Sequence, residues 1–88
     1  CDLTAGFLIN ELEAQGYRVP DDFSVAGFDN YLYPGICDVK VTTYEVDIRE
    51  MSRRTINNLL KKIEGEREKQ EIAIVDGHPV YKDSVKRL

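Results

Sequence analysis

The run Phe23-Ser24-Val25-Ala26-Gly27-Phe28 constrains this chain more than any other part of it. It is apolar at odd and even positions alike. A strand with water on one face alternates apolar and polar side chains, whereas a strand apolar on both parities has both faces covered. The pattern predicts a short parallel strand in an α/β sheet. Asp29-Asn30 closes the run. In open parallel sheets, ligands bind just beyond the carboxyl ends of the strands. A carboxylate at that place can accept two hydroxyl hydrogen bonds at once, which suits a polyol or sugar. The plainer reading makes Asp29 the cap of a turn.

Around this strand the punctuation predicts the order α-β-β-α-β-β. Asp2 can cap a helix running to about Gln15, with Gly16 as its stop. At 100° per residue, Ala5, Leu8, Ile9 and Leu12 form one apolar stripe, and Leu3, Phe7 and Ala14 form a second almost opposite. Two stripes imply burial on two sides, the second against another element or another subunit. Residues 31–37 combine apolar and aromatic side chains with Pro34-Gly35, which makes them a loop; an apolar surface loop implies a covering partner. Residues 40–44 read as a strand rich in β-branched residues. Asp47 opens the longest helix, with apolar positions at Ile48, Met51, Ile56, Leu59, Leu60 and Ile63 and a stop at Gly65. Residues 71–75 and 80–85 read as two further strands, joined through Asp76-Gly77 and His78-Pro79.

Charge excludes one function class. The chain of 88 residues has a net charge of -4, and nucleic-acid binding needs clustered Lys and Arg. The balance is uneven: residues 1–50 carry ten acidic and three basic side chains, and residues 51–88 six and nine. Glutamates interleave the basic ones, so a solvated helix face is preferred to a DNA-binding patch. No apolar run approaches the ~20 residues of a membrane span, so no membrane partner is expected. Cys1, Cys37 and the single His78 do not make a zinc set, and neither a metal nor a cofactor is expected. A disulfide between the two cysteines stays open on sequence alone. Cys37 reads as a small buried hydrophobe, and the low cysteine count favours a reducing cytoplasm. No nucleophile elbow, phosphate loop or paired-histidine metal motif occurs. Enzymatic activity is therefore not expected. Tyr31, Tyr33 and Tyr44 suit sugar stacking or an interface, with the interface favoured.

Four segments, in order, resemble the LacI/GalR family of bacterial transcriptional regulators. Val19-Pro20-Asp21-Asp22-Phe23-Ser24-Val25-Ala26-Gly27-Phe28-Asp29-Asn30 is similar to the family's "VPeDiSVvGFDd" segment. Cys1-Asp2-Leu3-Thr4-Ala5 resembles its "ND-x-x-A" helix start. Val41-Thr42-Thr43, followed by residues 47–54, resembles its "lTTv" stretch and the helix after it. Lys82-Asp83-Ser84-Val85 resembles its "R-x-S" closing strand.

The resemblance implies a partial periplasmic-binding-protein type I fold. Residues 1–88 would be a fragment of the C-terminal effector-binding and dimerisation subdomain. Such a fragment would respond to a small molecule, sugar being the class expected, in a cytoplasmic repressor. It would touch DNA only through an N-terminal helix-turn-helix outside this sequence. A sugar-binding transport receptor of the same fold is the alternative. Asp29 matches the family's effector-contacting aspartate. Cys1 stands where the family has an effector-contacting Asn, a change to a poor hydrogen-bond partner. Ile48 stands where some relatives place an aromatic pocket residue. Leu3, Phe7, Ala14, Tyr31, Tyr33 and Ile36 fall on the family's dimer elements, which agrees with the second stripe and the apolar loop. A fragment of this kind is expected to form a homodimer or swapped oligomer, because its sheet edge would otherwise stand open.

Overall fold

The computed structural model describes residues 1–31, 35–65 and 73–87. Among the described residues four regular elements follow one another: α1 (Asp2–Ala14), β1 (Thr43–Glu45), α2 (Ile48–Ile63) and β2 (His78–Val80). The chain divides into two compact units, one of Cys1–Glu45 with His78–Leu88 and one of Val46–Gly77.

In the first unit, α1 buries Asp2, Ala5, Gly6 and Ile9, which share one face at i, i+3, i+4 and i+7. Ala5 and Ile9 join Val19 and Val25 in the core, and Leu12, Cys37, Val39 and Val41 pack against it. Leu8, expected on the buried stripe, is half exposed. The buried face is rotated towards Gly6, where the missing side chain lets residue 36 approach. A β-carbon at Gly6 would stand 2.8 Å from Ile36 Cγ2. Asn10 Nδ2 donates to the Ile36 carbonyl from the same face. The helix stops where expected: Gly16 follows with φ +89°, a conformation open to glycine at little cost.

Residues 23–28 run parallel to their neighbour, as the sequence implies, but not as a continuous strand. The run and the residue after it make two isolated parallel bridges, Ala26 to Thr42 and Asp29 to Glu45. The reason lies in where the amides go. Val25 N–H donates to Ser84 O at 2.9 Å, whereas Gly27 N–H donates to Thr42 O at 2.8 Å and Asp29 N–H to Tyr44 O at 2.9 Å. The partner changes part-way along, so no unbroken ladder forms. Tyr17 and Phe23 meet edge to face, with ring centroids 5.2 Å apart.

The other strands shift as well. The strand expected at residues 40–44 appears as β1. The strand expected at 80–85 appears as β2, and only Val80 is shared. Of the strand expected at 71–75, residues 71 and 72 lie outside the described residues, and 73–75 are not in a strand. Among the described residues the order is therefore α-β-α-β. β2 pairs antiparallel with β1, setting Thr43 against Val80, Tyr44 against Pro79 and Glu45 against His78. Antiparallel ladders alternate hydrogen-bonded and non-bonded pairs, so Pro79, which lacks an N–H, fits a middle position that needs none. His78 thus lies in a strand and not in a turn.

The second unit is dominated by α2. Asp47 caps it, its Oδ1 accepting the Glu50 N–H at 3.0 Å, which relieves one of the helix's unpaired first-turn donors. Glu50 accepts from Arg53 Nη2 at 2.5 Å and from Arg54 Nε at 2.8 Å. These two guanidinium bonds, Arg53 first, hold its carboxyl down at about 2. The apolar positions of α2 recur at helical spacing, as the sequence predicts, yet none of its residues is buried.

Candidate functional site

The site grows out of the end of the parallel segment. Asp29 follows Phe28 there, half-buried, its N–H tied to Tyr44 O. Its backbone has φ +99°, and Asn30 follows with φ +54°. Two consecutive non-glycine residues with positive φ are uncommon, and strain of this kind collects at functional sites. Asp and Asn are the residue types that tolerate it best, because short polar side chains bond locally. Here Asp29 Oδ1 accepts the Tyr31 N–H at 3.0 Å, an Asx turn. Among the described residues Asp29 Oδ2 has no hydrogen-bond partner, so the carboxylate keeps acceptor capacity at the strand end.

Asn30 is gripped from two sides. Its N–H donates to Thr43 Oγ1 at 3.2 Å, and its Oδ1 accepts from Lys82 Nζ at 2.8 Å. The Lys82 N–H in turn donates to Thr42 Oγ1 at 2.8 Å. Next to this turn, the rings of Phe28 and Tyr44 stack at 5.7 Å with 10° between planes. His78 Nε2 lies 3.0 Å from Glu45 Oε2, and both side chains are largely exposed.

Asp2 and Cys1 lie at the start of α1, joined to the site by the backbone. Asp2 N–H donates to Phe28 O at 3.1 Å, one residue before Asp29. The helix N-cap is Cys1 and not Asp2, and no side chain caps it. Asp2 is buried instead, with Oδ1 unpaired among the described residues, and a β-carbon on Gly27 would overlap that oxygen. Glycine at 27 is what lets the helix start approach the strand this closely. Cys1 is exposed, its Sγ 3.5 Å from Thr4 Oγ1. Both cysteines are free. Burial pushes the Cys37 thiol up, in keeping with its packing role.

Ile48 belongs to the second unit, as the first residue of α2, with its side chain exposed. Of the residues expected at a dimer face, Phe7, Ala14 and Tyr31 are exposed and Leu3 and Ile36 are partly covered; Tyr33 lies outside the described residues. Sequence reasoning gave no role to Asn30, Thr43, Lys82 or Ser84. The signal was in view, since Thr43 and Lys82-Asp83-Ser84 lie in two of the four matching segments, but nothing in their local pattern says which atoms they reach.

Comparison with known proteins agrees with the resemblance. The profile of the family described as "Periplasmic binding protein-like domain" matches residues 1–85. The HTH-type transcriptional repressor PurR of Mannheimia succiniciproducens is 31% identical over 87 residues, which are 99% of this chain and 26% of that protein. The arabinose metabolism transcriptional repressor of Geobacillus stearothermophilus is 35% identical over 63 residues, 72% of this chain and 17% of that one. The crystal structure of a LacI-type transcription regulator from Bifidobacterium animalis subsp. lactis superposes with a TM-score of 0.87 at 28% identity, covering 98% of this chain and 31% of the other. The chain thus spans about a quarter or less of the curated relatives named here. Among the described residues no helix is long and apolar enough to cross a membrane.

Proposed function

Since the chain belongs to the periplasmic binding protein-like domain family and its relatives are transcriptional repressors, we propose that it is the effector-binding and dimerisation part of a LacI/GalR-type repressor. The effector is a small molecule, and a sugar is the class we favour. The observation that carries this reading is the strained Asp29 turn at the carboxyl end of the parallel segment, where such sheets bind ligands. A fixed carboxylate with one oxygen uncommitted among the described residues is suited to hydroxyl donors. A relative whose name states a sugar connection, the arabinose metabolism repressor, supports the same class.

Cys1, which precedes Asp2 where that residue's N–H bonds the Phe28 carbonyl, is proposed as a second effector residue with a weak hydrogen-bonding head. Ile48 is proposed in the second unit on the resemblance alone. The working state is a cytoplasmic homodimer. DNA is reached through a helix-turn-helix outside residues 1–88, consistent with the acidic balance here. Effector binding shifts the population between two arrangements of the repressor that differ in operator affinity.

The test is Asp29→Ala in the full-length repressor, with promoter DNA release followed by fluorescence anisotropy against L-arabinose, D-ribose and D-glucose in turn. A sugar that releases the parent is expected to leave the variant bound, with operator affinity unchanged. Equal release of parent and variant by that sugar would show that Asp29 is not the effector contact.

A further inference from the structure

The turn that carries Asp29 is held through Asn30 by a residue 52 positions further along the chain. Left-handed backbone at Asp29 and Asn30 persists only where the surroundings over-determine it. Two of the restraints are local to the turn and the strand beside it: Tyr31 N–H on Asp29 Oδ1 at 3.0 Å, and Asn30 N–H on Thr43 Oγ1 at 3.2 Å. The third comes from Lys82, whose ammonium donates to Asn30 Oδ1 at 2.8 Å. Lys82 is itself fixed at its base, because its N–H is on Thr42 Oγ1 at 2.8 Å. It is half-buried, and its charged head sits on a neutral amide oxygen, the stronger kind of hydrogen bond. A side chain anchored at both ends transmits position, whereas a free surface lysine does not.

We propose that Lys82 is a positioning residue for the effector contact made by Asp29. It locks Asn30 in the left-handed region and so aims the Asp29 carboxylate before any effector arrives. It need not touch the effector. The proposal rests on the reading that Asp29 contacts effector, and it adds specificity to that reading: substitutions at Lys82 loosen the site without entering it.

The test is amide hydrogen exchange at residue resolution, on the intact protein without any effector. Lys82→Met is expected to speed exchange at Asn30 and Tyr31 at least tenfold, with Val25 and Gly27 within about twofold of the parent. Lys82→Arg, which keeps a charged donor, is expected to stay within about threefold everywhere. Asn30→Ala removes the same bond from the acceptor side and also the residue type that tolerates this backbone, so it is expected to speed Tyr31 at least as much; adding Lys82→Met to it should change nothing further. Unchanged exchange at Asn30 and Tyr31 in Lys82→Met overturns the proposal. Acceleration spread equally over Val25 and Gly27 also overturns it, because Lys82 would then only hold up the fold. Should Lys82→Met fail to fold, Asn30→Ala is judged by the same local-against-spread criterion. Exchange is read without sugar, so its failure is separate from a failure of the Asp29 assignment, which shows only in the sugar response.

Discussion

Ser84 and Val25 hold each other twice. Val25 N–H donates to Ser84 O at 2.9 Å, and Ser84 Oγ donates to Val25 O at 2.5 Å. The same hydroxyl accepts the Thr42 N–H at 2.7 Å, and Ser84 is fully buried. One oxygen therefore ties residue 25, residue 42 and the C-terminal segment together, where no continuous ladder does so.

Ser84→Ala removes a donor and an acceptor at once and leaves a buried carbonyl and a buried amide unpaired. Each orphaned group costs about 1–3 kcal/mol. The variant is expected to lose about 3 kcal/mol of stability, read as a lower midpoint in urea unfolding. A loss under about 0.5 kcal/mol would mean that the three segments are held by packing and not by the hydroxyl.

Gly27→Ala is expected to destabilise by about 1–3 kcal/mol, the usual penalty for overpacking, because the added carbon meets Asp2 Oδ1 and lies 3.1 Å from Val41 Cγ1. In an Asp2→Ala background the penalty should shrink, since the oxygen in the way is gone. A double-mutant cycle by thermal unfolding checks this, and additive effects would rule out the contact.

Glu50 gives a pH signature. Its bonds to Arg53 and Arg54 hold its carboxyl at about 2, below the ordinary unfolded value of about 4.3. A depressed folded value means the contribution to stability is complete above about 4.3 and fades as pH falls towards about 2. NMR titration of the Glu50 side chain should show the low midpoint, with Arg53→Gln raising it. High salt should also raise it, because the pair is exposed and screened. A midpoint near 4.3 in the parent would refute the paired geometry.

Phe7 is 59% exposed on the face of α1 away from the core. Phe7→Glu should leave the stability of the fold within about 0.5 kcal/mol and weaken self-association of the intact protein in sedimentation velocity. The same oligomer in both proteins would assign that face another role.

Much of this was legible in local pattern. Gly16 and Gly65 end their helices at φ +89° and +83°, and Asp47 caps α2, because caps and stops depend on a few neighbouring residues. The parallel direction of residues 23–28 agrees with their apolar pattern, but the covering of both faces that the pattern implies is not found: Val25 is buried, whereas Phe23 and Phe28 are about half exposed. The strand-end position by itself marks Asp29, without any resemblance. The strand limits were not legible. β-structure depends on which distant amides find which carbonyls, and the switch of partner from Ser84 to Thr42 leaves no trace in the composition of residues 23–28.

The sequence by itself determined the two helices, the family and the carboxylate at the end of the parallel segment, since periodicity, capping and motif order are properties of the chain read in line. Only the tertiary structure decided that Asp2 is buried against Gly27 instead of capping α1. It alone brought His78 into a strand opposite Glu45, and made Lys82 and Thr43 the supports of the Asp29 turn. Those outcomes depend on hydrogen bonds and close approaches between residues 13 to 52 positions apart. A chain folds to satisfy such contacts together, and no local pattern records them.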